Sequence, residues 1–292
     1  MKTTAQPRFH PERKAAAFTF IELVLVLVVL AMLVGMHLPF YSRLREQTYI
    51  VIDQNNIRQI LRGSALYSAE NNDYLPHPTW GSDLTGPDGW AYLTSQKSRP
   101  VPGALTAYPQ SCAGRDVNSA QFTNQLAFFK VGQVSQYLPD VKTAWCPKDA
   151  ATRESGKLRQ LWLARPMKVT SYCWSGTIGG YVGRSQNLNN GTYKIFQFLA
   201  GDWQMWEQND NDSFYFNDAA NNPENSPELI SYRHTGLKQW WNVRPFQRNL
   251  PGAGLVGTFG GEARMVNFAR IYDLANRKVG IPNELLNSPG YQ

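Results

Sequence analysis

Histidine and cysteine are scarce in this chain, four and three among 292 residues. His10, His37, His77 and His234 are scattered, and with Cys112, Cys146 and Cys173 they make no HxxxH or CxxC spacing. No local zinc-ligand set is present, and no metal or other cofactor is expected. Charge is also sparse, at 17% of residues. The formal net charge is +7, but no dense basic run exists to track a phosphate backbone, so nucleic acid is not expected as a partner. The glycines of GTIGGYVG (176–183) lack a strand-to-helix context and a following GK[ST], so they read as tight turns. No nucleotide or protease motif, internal repeat or low-complexity tract appears.

What is present is a core-forming composition, 42% hydrophobic, and one unusual N-terminal run. Residues 15–35 read AAAFTFIELVLVLVVLAMLVG. Between Glu22 and Arg43 there is no formal charge with His37 neutral. A helix of that length covers about 30 Å, one bilayer core. Lys2, Arg8, Arg13 and Lys14 all precede it, which keeps residues 1–17 cytoplasmic and sends the bulk of the chain outward. The small residues Ala15, Ala16 and Ala17 lie before the run, while His37, Leu38, Pro39 and Phe40 after it make a poor signal-peptidase site. The run is therefore expected to be retained as a single-pass anchor.

Glu22 is the anomaly, because a carboxylate inside an apolar helix needs a partner or a route to the headgroups. Cleavage between Ala17 and Phe18 would give Phe18 a free ammonium group four residues before Glu22. In a helical assembly the carboxylate of one copy could then meet the N-terminus of its neighbour, neutralising both charges in an apolar core. The stretch A-FTFIE followed by aliphatics resembles the processing site of type IV pilins and type II secretion pseudopilins. The resemblance implies cutting before Phe18 by a prepilin peptidase, methylation of the new terminus, and a role for Glu22 in assembly. Ala17 stands where that family usually has Gly, and Pro39 falls where many pilins carry a helix-bending Pro.

The remaining chain reads as α+β, with a long helix from residue 18 to 70 on an antiparallel sheet decorated by long loops. Leu44, Val51, Ile57, Ile60, Leu61 and Ala65 form its stripe, and Asn71, Asn72, Pro76 and Pro78 end it. Residues 121–138 hold a shorter helix; 194–200, 255–259 and 263–268 read as strands. The expected divisions are a basic leader (1–17), a membrane and assembly helix (18–40), its amphipathic continuation (41–72) and a β-rich extracytoplasmic domain (73–292). YSAENNDYLP, AWCPKD (144–149), SYCWSG (171–176) and SYRHTG (231–236) resemble elements of large pilin-like proteins of the Planctomycetes and Verrucomicrobia type. In that family the last is usually followed by a DGH turn; here the turn carries Gly261 and Glu262.

Chemistry beyond this is thinner. The three cysteines lie in the extracytoplasmic part, where one bridge can persist: Cys146 with Cys173, both beside motif elements, or with Cys112. His234 reads as a structural histidine donating to a loop carbonyl rather than as the partner of a catalytic thiol. Asp202, Asp210, Asp212 and Asp218 lack the glycine and terminal glutamate of an EF-hand and read as a solvated acidic loop, not a calcium site. The tryptophans read as core. The expectation is a non-enzymatic subunit of a type IV pilus or type II secretion pseudopilus in the inner membrane. Its partners would be copies of itself, other pilin-like subunits, a prepilin peptidase and methyltransferase, and an inner-membrane assembly platform. An extracytoplasmic hydrolase or carbohydrate-binding domain that uses the run only as a signal anchor is the rival.

Overall fold

The computed structural model describes residues 18–80, 87–93, 109–180, 188, 191–223, 228, 230–243, 246–277 and 281–289, without the side chains of 36–40, 42 and 43. Ala17 lies outside them, so only Phe18 of the expected processing junction is described. The chain divides into two compact units, Met1–Gln47 and Thr48–Gln292.

The first unit contains the start of helix α1 (Phe20–Glu70). Thr19 and Glu22 open it with a reciprocal cap. The Thr19 hydroxyl accepts from the Glu22 N–H at 3.3 Å, while Glu22 Oε2 accepts from the Thr19 N–H at 2.8 Å and from its hydroxyl at 2.7 Å. This Thr-x-x-Glu box satisfies donors that the first helical turn would otherwise leave open. Every described side chain from 20 to 35 is exposed, including Phe20, Ile21, Leu25 and Met32. A helix apolar on all sides has no polar face to give to water. Among the described residues no helix is long and apolar enough to cross a membrane. The described side chains of the run end at Gly35, and the backbone continues as helix through Pro39, where a bend was expected.

In the second unit, residues 48–70 of α1 bury a face made of Asp53, Ile57, Ile60, Leu61, Ser64 and Ser68. The spacing is helical, but the face is half polar. Val51, Leu44 and Ala65, expected in the stripe, are exposed instead. The helix ends where Asn72 and Asp73 take positive φ and the Asp73 N–H donates to Ser68 O at 2.9 Å.

Five strands form one sheet: β1 (Tyr172–Ser175), β2 (Trp203–Glu207), β3 (Ala220–Asn221), β4 (Ala253–Thr258) and β5 (Ala263–Asn267), in the order β3-β1-β2-β4-β5. The architecture is thus mixed α and β, consistent with the expected class. The sheet is not wholly antiparallel, because the short β3 runs parallel to β1. Side chains alternate across it. Tyr172, Trp174, Met205 and Leu255 join Ile57, Ile60 and Leu61 in one core cluster. Cys173, Trp206 and Val256 join Phe268, Ile271 and Leu274 of a C-terminal helix (Phe268–Ala275) in the other. Residues 48–70 of α1 lie directly on the backbone of β4, since a Cβ at Gly257 would come within 2.6 Å of Ile57 Cγ2.

Two expectations need correction. Residues 194–200 are not a strand: the Lys194 N–H donates to the Gln197 side chain at 2.9 Å, folding Ile195–Gln197 into a 3-10 turn. The helix expected across 121–138 is α2 (Ala120–Lys130), capped by Ser119 and followed by a separate 3-10 turn at Ser135–Tyr137. Trp90 and Trp174 stack at 5.1 Å between ring centroids in the core, as the composition suggested.

Candidate functional site

The most concentrated chemistry in the second unit is a buried polar cluster on the α1 side of the sheet. Asp53 comes from α1. Cys146 immediately precedes the short helix α3 (Pro147–Thr152), where Pro147 occupies the first turn. Glu207 ends β2, and pairing with Tyr172 across the β1–β2 register aims both at the same face. His234 lies in the turn that follows an isolated bridge between Gln208 and Ile230. His234 Nε2 is 3.2 Å from Asp53 Oδ2, 3.4 Å from Glu207 Oε1 and 3.8 Å from Cys146 Sγ. The Tyr172 hydroxyl donates to Asp53 Oδ1. The side chains of Asp53, Glu207 and His234 are 0% exposed.

An ionic shell surrounds this centre. Arg233 donates to Glu207 Oε1 at 3.0 Å and to Asp210 Oδ2 at 3.1 Å. Arg165, which follows helix α4 (Gly156–Ala164), donates to Asp149 at 2.9 and 3.0 Å and to Asp210 at 3.2 Å. Ser171 and Ser231 donate their hydroxyls to Asp149 and Asp210 at 2.6 and 2.9 Å. Such a network is stable only when every member keeps its partners, because each ion has lost its hydration.

Burial and the nearby Glu207 carboxylate push the Asp53 carboxyl up, to about 7. Burial opposes ionisation of Glu207 as well, but the His234 imidazole and the Arg233 guanidinium outweigh it and hold that group low. Burial also opposes ionisation of Asp149, yet Arg165 and Arg233 hold it well below the usual carboxylate range. The Cys146 thiol is pushed far up by burial and by Asp53 and Glu207. A protonated, inaccessible thiol is a poor nucleophile.

Three of the stretches singled out in the sequence converge here. AWCPKD supplies Cys146 and Asp149, SYCWSG supplies Ser171 and Tyr172, and SYRHTG supplies Ser231, Arg233 and His234. No family model matches the chain, and neither curated proteins nor solved structures give a match. Its reading therefore rests on its own residues.

Several expected assignments change. All three cysteines are free and buried, so the expected bridge of Cys146 with Cys173 or Cys112 is not formed. Cys146 and Cys173 belong to different core clusters, and Cys173 donates to Trp206 O at 3.6 Å on the opposite face of β1. His234 Nε2 meets two carboxylates, which the sequence reading did not anticipate. The four aspartates are not a solvated loop: Asp202, Asp210 and Asp218 are buried. Asp202 accepts from the Leu199 N–H, Asp212 from the Phe214 N–H and Asp218 from the Ala220 N–H, while Asp210 joins the arginines. Sequence reasoning missed Asp53 and Glu207. The available signal was a lone acid one helical turn before Ile57 on a face that also carries Ile60 and Leu61.

Proposed function

We propose that the chain is a non-enzymatic, prepilin-like structural subunit, processed between Ala17 and Phe18 and assembled into a type IV pilus or type II secretion pseudopilus. The observation that carries this reading is the first unit: a capped helix whose described side chains from 20 to 35 are apolar and exposed, apart from Glu22 at its start. Burying an exposed Leu, Val or Phe contributes about 1.5–3 kcal/mol each, so this surface drives insertion into lipid and then packing against copies of the same helix. The basic leader would orient the precursor, and the helix 18–40 would pass from the inner membrane into a filament core. The Glu22 carboxylate would set register by meeting a neighbour's Phe18 terminus. The second unit would form the outer surface, its buried ionic network holding the long loops. A prepilin peptidase and methyltransferase, other pilin-like subunits and an assembly platform are the partners this reading requires.

Glu22→Gln tests the proposal. Glutamine keeps the Thr-x-x-Glu/Gln cap while removing the charge. The variant should enter the membrane normally and fail to cross-link into oligomers; assembly at the wild-type level would contradict the proposed pairing.

A further inference from the structure

We propose that Asp53, Cys146, Glu207 and His234 form a closed, structural zinc(II) site that fastens four distant segments of the second unit. One ligand-type atom from each of these residues lies within 4.8 Å of the others. Four bonds of about 2.0–2.3 Å at tetrahedral angles place ligand atoms about 3.3–3.6 Å apart. His234 Nε2 lies 3.2 Å from Asp53 Oδ2, 3.8 Å from Cys146 Sγ and 3.4 Å from Oε1 of the Glu207 carboxylate, whose Oε2 would be the ligand atom, so the edges that meet at His234 are already close to that length.

A second observation is independent of that spacing. Glu207 Oε2 is buried with no hydrogen-bond partner among the described residues, in a residue with no exposed surface. An unmatched buried carboxylate oxygen is costly, and it lies in the one side chain that already shares its other oxygen with Arg233. Charge counting agrees. Arg165 and Arg233 supply two positive charges against four buried acids, Asp53, Asp149, Glu207 and Asp210, so acid is in excess at the centre even with the Arg233–Glu207 pair in place, and a divalent ion would offset that excess and most of the charge of the Cys146 thiolate.

The donor set selects the metal. Thiolate and imidazole disfavour calcium and magnesium, which want oxygen ligands, and one sulfur, one nitrogen and two carboxylates at tetrahedral spacing suit zinc. No position is open to solvent, which marks a structural rather than a catalytic site. Binding replaces the S–H bond of Cys146 with an S–Zn bond and the proton that His234 Nε2 shares with Asp53 and Glu207 with an N–Zn bond, and the released protons go to the buffer. Tyr172 on Asp53 Oδ1 and Arg233 on Glu207 Oε1 would orient the two carboxylates from behind. The ion would do for this domain what a disulfide does elsewhere, tying α1, the start of α3, the end of β2 and the 231–236 turn together.

The test uses the full-length chain extracted in detergent and purified without chelators or metal-affinity resin. Elemental analysis should find about one zinc per chain. Zinc-edge X-ray absorption should show one sulfur and three nitrogen or oxygen ligands. Cys112→Ser with Cys173→Ser should leave both results unchanged, whereas Cys146→Ala should lose the metal. Should that variant fail to fold, the ligand count on the wild-type protein decides alone. Chain that contains no zinc and takes up neither zinc nor cobalt from solution overturns the proposal. So does zinc bound without sulfur, or zinc lost on replacing Cys112 and Cys173.

Discussion

His234 Nε2 and Asp53 Oδ2 stand 3.2 Å apart although 181 positions separate them in the chain. That contact joins α1 to the turn after the 208–230 bridge, and the arginine–carboxylate network is built around it. Its members have exchanged hydration for each other. Breaking one partner therefore costs far more than forming a surface pair gains.

Arg233→Met leaves Asp210 and Glu207 without their shared cation and should destabilise the second unit by about 3–5 kcal/mol. Arg248→Met removes only the exposed pair with Asp273, where both side chains are about half exposed and screened by solvent, and should change stability far less. Urea unfolding of both variants in detergent measures the difference. Equal effects would mean that the buried network is not the main electrostatic support.

His77 predicts an acid limit. Burial pushes its pKa down to about 3, and its Nδ1 accepts from the Thr79 N–H at 3.0 Å. A folded pKa below the unfolded value of about 6.5 means stability is present above pH 6.5 and lost as pH falls towards 3. The loss from this group should reach roughly 3 kcal/mol by pH 4.5. His77→Asn retains an acceptor without titrating, so its stability should fall less steeply between pH 6.5 and 4.5 than that of the wild type. Parallel slopes would contradict the assignment.

Asp202 works in the opposite direction. Burial raises its carboxyl to about 6 despite the bond from the Leu199 N–H. With the folded pKa raised, the group's contribution is fully present below about pH 3.8 and is lost as pH rises from there through about 6. Asp202→Asn can keep the Leu199 bond and should raise the melting temperature at pH 8, by an amount corresponding to about 1 kcal/mol after solvent screening, with little change at pH 4. A gain at both pH values would point to packing instead.

Gly257 is fixed by sterics. A methyl group there would meet Ile57 Cγ2 at 2.6 Å and Leu61 Cδ1 and Met205 Cγ at 3.0 Å. Gly257→Ala should therefore cost about 1–3 kcal/mol by overpacking, in contrast to Gly35→Ala, whose added methyl has nothing within 4 Å. Thermal melting of the two variants checks the contrast.

The elements that local rules govern were legible in the sequence. The long helix, its stop around Asn71 and Asn72, and the β4–β5 hairpin around Gly261 follow from periodicity and turn chemistry. The 194–200 segment was not, because one side chain, Gln197, competes for the backbone donor that a strand would use. The buried site was legible only in fragments. Asp53 looks like a break in an apolar stripe until Tyr172 and His234 are brought to it. The extracytoplasmic placement of the cysteines suggested a disulfide, but neighbouring residues of a strand face opposite sides, and β1 sends Tyr172 towards Cys146 and Cys173 away from it. The Thr19–Glu22 cap was written in the sequence as Thr-x-x-Glu, and it gives Glu22 a local task within its own helix in addition to the proposed one between copies.

The most direct test of the proposed function is the intact mass and N-terminal sequence of the protein extracted from membranes. The account predicts a chain beginning at Phe18, with one methyl group on its terminal nitrogen. A chain beginning at Met1 would contradict it.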